Sequence, residues 1–307
     1  MNTRGHRFGG PWTEQKLGCV SKYLRAYTTI MRKYEFHFAY VDAFAGTGYH
    51  EPRRDENTDQ TLLFDPTSEE TQNFLDGSAR IALQVEHLFQ EYIFIEKNRN
   101  RFSELKKLRS EFPNERIEFI NRDANDYLVN FCNERNWTSN RALVFLDPYG
   151  MQVNWETMES IAETKAIDLW ILFPLGTINR LLEKQGQISR ARQRTLDRFF
   201  GDPDWRRVFY PPTEFSLTQE NYRQKTGDIF TEIGKYFMKR LQGIFAGVAD
   251  NPPLLYNSNN VPLYLLCFAA GNPKAAETAV KIAQDILLKP LGQEVSLIKQ
   301  PEQLELL

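Results

Sequence analysis

The sequence contains few cysteines, and it lacks any long apolar run. Its cysteines, Cys19, Cys132 and Cys267, lie far apart without CxxC or Cys/His spacing, so we predict neither a disulfide framework nor a structural zinc site. The longest apolar stretches, such as residues 263–270, are too short to span a bilayer. Residues 1–10 lack the apolar centre of a signal peptide. We therefore expect a cytoplasmic protein with free thiols, no bound metal and no membrane partner.

An excess of charge of one sign is also missing. Lys and Arg total 38 and Asp and Glu total 40, which gives a formal net charge of −2. This balance excludes a globally basic nucleic-acid-binding protein, although it permits a local basic face. With 307 residues, 41% apolar and 25% charged, the chain has the composition of a globular protein. Its length suits one large α/β domain with insertions, or two domains.

Strands and helices alternate between residues 37 and 176. Continuously apolar segments such as 142–146 and 167–173 are flanked by helical patterns, which favours a parallel sheet covered on both faces. We predict an α/β fold that is Rossmann-like, with a mostly parallel seven-stranded sheet, a C-terminal antiparallel hairpin and a helical insertion. The predicted parts are an N-terminal helical segment (1–36), a core (37–176) containing a charged loop insertion (49–76), a helical insertion (177–250), and a hairpin and helix that complete the core (251–307).

The first motif is the segment 41–48 (VDAFAGTG), in which a buried strand leads into a turn of small residues. Glycines in such a turn let a ligand approach the backbone closely. We predict that Asp42, Phe44, Gly46 and Gly48 form a cofactor-binding loop. An isolated GxG is also compatible with an ordinary tight turn.

Acidic residues follow the next two predicted strands. Glu96 can accept hydrogen bonds from both ribose hydroxyls of a nucleoside. It lies further from Gly48 than the usual spacing of about 20 residues, because the insertion 49–76 intervenes. Asp123 can accept from an adenine amino group, or it can serve as the N-cap of the following helix. The alternative for Glu96 is an exposed acid at a strand end.

The fourth motif is the segment 146–150 (LDPYG), which follows another apolar strand. Pro148 stiffens the turn and holds Asp147 and Tyr149 at the carboxyl edge of the sheet, where open α/β sheets bind ligands. A carboxylate there can accept a hydrogen bond from an amino group that is being alkylated, and an aromatic ring can stack on a planar base. Asp147 and Tyr149 are our predicted catalytic residues, and an ordinary Asp-Pro turn is the alternative.

The order of these motifs resembles that of class I S-adenosylmethionine-dependent methyltransferases. The resemblance implies S-adenosyl-L-methionine as cofactor, with the 41–48 turn at its methionine end, Glu96 at the ribose and Asp123 at the adenine. Residues 147–149 resemble the [DNS]PP[YF] motif of amino methyltransferases. The second proline of that motif is missing, since Tyr149 follows Pro148 directly.

A closer resemblance is to the three-Cys-motif partner protein family, whose members are methyltransferase-like. The matching segments are 12–17 (WTEQKL), 40–46 (YVDAFAG), 77–78 (GS), 145–150 (FLDPYG), 262–265 (PLYL) and 271–273 (GNP). The resemblance covers most of the chain. It implies a partner protein that carries the three-cysteine motif.

Two segments are locally basic. Residues 97–109 hold six Lys or Arg against one Glu, and residues 180–207 hold eight against four acids. Such clusters contact nucleic-acid phosphates, or they form a solvated helix face. We predict RNA or DNA as a partner, with Arg190 and Arg194 as substrate-binding residues. Aromatic residues beside the second cluster either stack on unpaired bases or form the core of the insertion: Trp205, Phe209 and Tyr210.

These observations favour a methyltransferase that acts on a nucleic acid or a nucleobase-like acceptor. Trp12 and Lys16 are predicted to close over its site from the N-terminal helix and to bind substrate. A catalytically silent adaptor that docks a partner protein is the main alternative. A NAD-dependent oxidoreductase is disfavoured, because the turn lacks the third glycine of GxGxxG. The chain continues with His50 and Glu51 instead.

Overall fold

The computed structural model describes residues 11–48, 77–211, 225–257 and 259–288. The predicted loop insertion 49–76 lies outside the described residues. In the described part, eight strands form one sheet. The strands are β1 (His37–Asp42), β2 (Glu91–Ile95), β3 (Ile117–Ile120), β4 (Asn140–Leu146), β5 (Ile167–Phe173), β6 (Gly247–Val248), β7 (Leu254–Tyr256) and β8 (Pro262–Ala270).

Helices connect these strands and cover both faces of the sheet. They are α1 (Pro11–Met31), α2 (Ser78–Leu83), α3 (Arg99–Leu105), α4 (Leu108–Glu111), α5 (Ala124–Glu134), α6 (Trp155–Glu163), α7 (Leu175–Leu181), α8 (Arg190–Phe200), α9 (Trp205–Phe209), α10 (Ile229–Gln242) and α11 (Ala276–Leu288). None of the described helices combines the length and the apolar character needed to cross a membrane.

The strand order is β3-β2-β1-β4-β5-β8-β6, with β7 paired to β8. Strands β1 to β5 run parallel, whereas β8 is antiparallel to β5, β6 and β7. The predicted Rossmann-like sheet and its antiparallel hairpin, β7–β8, are confirmed. The sheet has eight strands rather than seven, because β6 lies in a segment where we predicted only helices. Two residues are too few to show the alternation typical of a strand.

Alternate residues of the strands enter two separate cores. Ala39 and Val41 of β1 face a core that includes α5, α6 and the helices of residues 190–242. Phe38 and Tyr40 face the other core, formed with α1, α2 and α11. Burial on both faces explains why the central strands are continuously apolar in sequence.

The helical insertion has its own aromatic core. Trp205, Phe209 and Tyr210 are buried there, so they are core residues and not exposed surfaces for stacking on bases. Gly201 ends α8 with a φ of +79°, and a Cβ at this position would lie 2.2 Å from Cδ1 of Trp155. Glycine therefore allows the insertion to pack closely against α6.

Two predicted helix boundaries differ from the structure. In sequence, Thr13 is a plausible N-cap of the first helix, but α1 begins at Pro11 and Thr13 lies within it. The basic amphipathic pattern of residues 98–112 predicts one helix, which the structure divides into α3 and α4, because the amides of Lys107 and Arg109 bond to carbonyls three residues back instead of four.

Candidate active site

A cavity of about 810 Å³ lies at the carboxyl ends of the parallel strands. Its size falls within the range of about 300–1,000 Å³ that is typical of small-molecule sites. The structure brings five predicted site residues to its lining: Phe44, Glu96, Asp123, Asp147 and Tyr149. In open α/β sheets this edge is the ligand-binding edge.

The glycines of the 41–48 turn support the cavity without lining it. Gly46 and Gly48 have φ values of 62° and 70°, in the left-handed region that favours glycine. A Cβ on Gly48 would lie 2.8 Å from Cδ1 of Leu108, so Gly48 lets the turn pack against α4. The amide of Ala45 donates over 3.0 Å to the carbonyl of Ile95, which precedes Glu96, and the amide of Gly46 opposes the rise in the pKa of Glu96. The turn is thereby joined to the acid at the end of β2.

Glu96 is a nearly buried carboxylate, with 7% of its surface exposed. Its Oε1 accepts a 2.6 Å hydrogen bond from the amide of Asn98, and its Oε2 lies 3.4 Å from Arg101. Burial raises the pKa of Glu96, while Arg101 and the backbone amides oppose the rise. The predicted ribose acid is thus held in place at the cavity wall.

Asp123 is the N-cap of α5 and also lines the cavity, so its position is compatible with both roles considered for it. Its Oδ1 accepts from the amide of Asn125 as the N-cap of α5, and its Oδ2 lies 3.0 Å from Lys97. Burial raises the pKa of Asp123, but hydrogen bonds from Lys97 and Asn125 outweigh it and bring the pKa below its ordinary value.

Asp147 forms a buried ion pair with Lys16. Nζ of Lys16 donates to Oδ2 of Asp147 over 2.5 Å, and neither side chain is more than 2% exposed. Burial raises the pKa of Asp147, and Lys16 opposes that rise. Burial also lowers the pKa of Lys16 to about 8, although Asp147 works against the shift. Lys16 therefore lies beneath Asp147 and not over the cavity, where we expected it. Its ammonium is committed to the carboxylate.

Asp42 lies at the end of β1 and completes a buried triad with Lys16 and Asp147. It is fully buried and absent from the cavity lining. Its Oδ1 accepts from the amide of Phe44 over 3.3 Å, and the side chain of Ser78 helps to oppose the rise in the pKa of Asp42. Burial raises the pKa of Asp42 to about 7, and the charge of Asp147 adds to the rise.

The remaining predicted residues lie further out. Tyr149 is half-buried in the cavity lining, where its amide donates to the side chain of Gln152. Trp12 belongs to α1, but the position of its side chain lies outside the described part. Arg190 and Arg194 are exposed on α8 and do not line the cavity.

Arg190, Arg194 and Arg198 form an arginine row at four-residue spacing on one face of α8. Arg198 lines the cavity, so the row leads to its edge. None of the three makes an ion pair with a described residue, whereas Arg192, off this face, pairs with Glu183 over 2.6 Å. We did not predict Arg101 and Arg122 as lining residues, since nothing local distinguishes them from other surface arginines.

No protein-family model matches the sequence, and a comparison with curated proteins finds no match. Solved structures do resemble the chain. A protein of Legionella pneumophila is 12% identical, with 92% of each chain covered and a TM-score of 0.48. Trm1 of Pyrococcus horikoshii, solved with S-adenosyl-L-methionine, is 13% identical, with a TM-score of 0.43. That match covers 91% of this chain and 60% of Trm1.

These identities are low, so the fold assignment depends on the strand order of the chain itself. Five parallel strands in the order 3-2-1-4-5, continued by an antiparallel strand, form a Rossmann-like sheet.

Proposed function

We propose that the protein is an S-adenosyl-L-methionine-dependent methyltransferase. One observation carries the proposal: three acids that follow the parallel strands β2, β3 and β4, namely Glu96, Asp123 and Asp147, line one cavity. The resemblance of the sequence to class I methyltransferases, and within them to three-Cys-motif partner proteins, supports the same function.

The residues present suit this cofactor. Glu96 offers a fixed carboxylate to vicinal hydroxyls, and Asp123 lies beside it as an acceptor for an exocyclic amine. Asp42 holds the turn through the amide of Phe44, behind the end of the site assigned to the methionine portion. Carboxylates that hold hydroxyl and ammonium groups are the acceptors such a ligand requires.

When bound, the cofactor supplies a methyl group activated by a sulfonium. The protein then has to align the acceptor and exclude water. Asp147 would accept a hydrogen bond from the amino group of the acceptor, because its Oδ1 has no partner among the described residues and its side chain lines the cavity. Tyr149 would stack on the planar ring that carries this amino group.

The arginine row favours a nucleic acid as the acceptor. Arg190, Arg194 and Arg198 are exposed, unpaired with any described acid, and spaced about 6 Å apart along the helix. A row of free guanidinium groups that ends at a cavity can hold a phosphate backbone while one base enters.

A methyltransferase-like adaptor is the second candidate. The observation in its favour is the missing second proline after Pro148, which changes the turn that presents Asp147. The resemblance to three-Cys-motif partner proteins implies a protein that such an adaptor would dock.

Turnover separates the two candidates. The protein is incubated with methyl-labelled S-adenosyl-L-methionine and with bulk RNA or DNA, and the digested nucleosides are examined by mass spectrometry. The proposal predicts label in a modified nucleoside, and about a hundredfold slower labelling with Asp147→Ala. Cofactor binding without transfer to either nucleic acid would favour the adaptor, and no cofactor binding would refute the methyltransferase.

A further inference from the structure

The two carboxylate oxygens of Asp147 have different environments. Oδ2 accepts from the ammonium of Lys16 over 2.5 Å. Oδ1 makes no hydrogen bond to a described residue, and Asp147 lines the large cavity. Lys16 is fully buried, so its ammonium reaches Asp147 but not the solvent. One oxygen is fixed from below, and the other remains available to a ligand.

Lys16 is also the one cation paired with Asp147 in the described chain. The other titratable groups near Asp147 are acidic or phenolic, apart from Arg180, which acts on Tyr264 and is not among the groups that shift the pKa of Asp147. Asp42 and Tyr40 belong to β1, and Tyr264 belongs to β8. Burial raises the pKa of both tyrosines, so they are neutral phenols at physiological pH. The positive charge that offsets the burial of Asp147 therefore comes from α1.

We propose that Lys16 is a positioning residue that keeps Asp147 ionised and directs its free oxygen into the cavity, and that it does not contact the substrate. The inference rests on the proposed function, since it assigns Asp147 the role of a hydrogen-bond acceptor. Without Lys16, Asp147 would be buried with no paired cation among the described residues, and burial favours the protonated form of a carboxyl group. A protonated Asp147 would be a poorer acceptor for the amino group of a substrate.

A purely structural role for Lys16 makes a different prediction, and the same helix provides the control. Tyr23 of α1 donates a 3.0 Å hydrogen bond to Oδ2 of Asp168 on β5. Tyr23→Phe removes this anchor of α1 to the sheet and leaves the buried triad intact. If Lys16 only anchors α1, then Lys16→Met and Tyr23→Phe should have similar effects.

The charge of Asp147 can be measured without any methyl transfer. Infrared spectra of protein labelled with ¹³C-aspartate show a separate band for protonated carboxyl groups, and Asp147→Asn identifies the contribution of Asp147. We expect no Asp147 band at about pH 7 in the wild type or in Tyr23→Phe. In Lys16→Met the band should be present and should disappear about 1–3 pH units higher than in the wild type.

Methyl transfer provides the second measurement. Lys16→Met should shift the acid limb of the pH–rate profile upward by the same interval, with a loss of about tenfold or more near pH 7. Lys16→Arg, which retains the charge, should recover part of this loss. Lys16→Gln, which retains a hydrogen-bond donor without the charge, should not recover the loss. If Lys16→Met does not fold, Lys16→Gln takes its place in both measurements.

The two readouts distinguish failure of the inference from failure of the proposed function. The role of Lys16 would be overturned if Lys16→Met and Lys16→Gln, like the wild type, showed no Asp147 band at about pH 7. A pH profile like that of Tyr23→Phe would also overturn it. The expected band shift in a protein that transfers no methyl group would support control of charge by Lys16 while refuting the methyltransferase function.

Discussion

Asp147 follows strand β4, and Asp168 lies on the neighbouring strand β5. Helix α1 contacts both acids, but through different partners. Asp147 follows β4 at the carboxyl edge and meets the ammonium of Lys16. Asp168 lies near the amino end of β5 and accepts from the hydroxyl of Tyr23 and, over 3.3 Å, from the amide of Gly271. The first lines the cavity of about 810 Å³, and the second lines an apolar cavity of about 290 Å³ between α1 and α11.

The difference shows what each carboxylate requires. Neutral donors hold Asp168, and burial raises its pKa to about 6, with Tyr23 and Gly271 opposing. A buried lysine costs desolvation energy that an ion pair does not always repay, so the pair is weak evidence for stability. We propose a use for it at Asp147, where a carboxylate that accepts a hydrogen bond from a substrate has to stay charged. We therefore propose a catalytic role for Asp147 and a structural role for Asp168.

The largest expected effect comes from removing each carboxylate in turn by mutation. Asp147→Ala should bind S-adenosyl-L-methionine within a few-fold of wild type and transfer methyl on the order of a hundredfold more slowly, since a positioned acid–base group contributes ~10²–10⁴. Asp168→Asn should leave the rate unchanged. Single-turnover transfer to RNA measures both variants. Equal rates for Asp147→Ala and wild type would remove Asp147 from the chemistry.

A smaller effect is expected on the pH dependence of stability. The pKa of Asp168 is about 6 in the folded protein, against about 3.9 in an unfolded chain. The folded state therefore holds a proton more tightly, and this group lowers the free energy of unfolding as pH rises from about 4 to about 6. The contribution is at most about 3 kcal/mol.

Asp168→Asn should remove this slope. Urea denaturation at several pH values across that interval measures it, with wild type as the reference. Parallel pH profiles for the two proteins would show that Asp168 is not the titrating group and would weaken the contrast with Asp147.

The smallest effect concerns the approach to the cavity. Arg190→Gln, Arg194→Gln and Arg198→Gln should each weaken RNA binding and reduce the slope of log affinity against log salt by about 1. Arg192→Gln is the matched control, because this arginine lies on the same helix but pairs with Glu183. Equal slopes for the arginine-row variants and for Arg192→Gln would show that the arginine row does not contact nucleic acid.

Much of this arrangement follows from local sequence signals. Apolar strands that end in Asp42, Glu96 and Asp147 identify the sheet and its carboxyl edge, because parallel strands bring these ends together. For Asp123, the sequence alone cannot distinguish two roles. An Asp directly before α5 suits both an N-cap and an acceptor at the cavity.

Pairings distant in sequence were not predictable. Lys16 and Asp147 are 131 residues apart. In sequence, Lys16 is one of two lysines on helix α1, and its burial depends on how α1 packs on the sheet. The aromatic residues Trp205 and Phe209 were ambiguous for the same reason. Their aromatic character fits either base stacking or a core, and the packing decides between them: both are buried, and Phe209 contacts rings of α8 and α10.

Calorimetric titration with S-adenosylhomocysteine, the demethylated cofactor, directly tests the proposed cofactor site at the carboxyl edge of the sheet. We expect one binding site in the wild type. Glu96→Ala should bind about ten- to a hundredfold more weakly, because hydrogen bonds to a charged acceptor contribute about 1.5–3 kcal/mol. Glu118→Ala, which removes an exposed acid on the neighbouring strand β3, should bind like the wild type. No binding by the wild type, or equal binding by Glu96→Ala and the wild type, would contradict a cofactor site at this edge of the sheet.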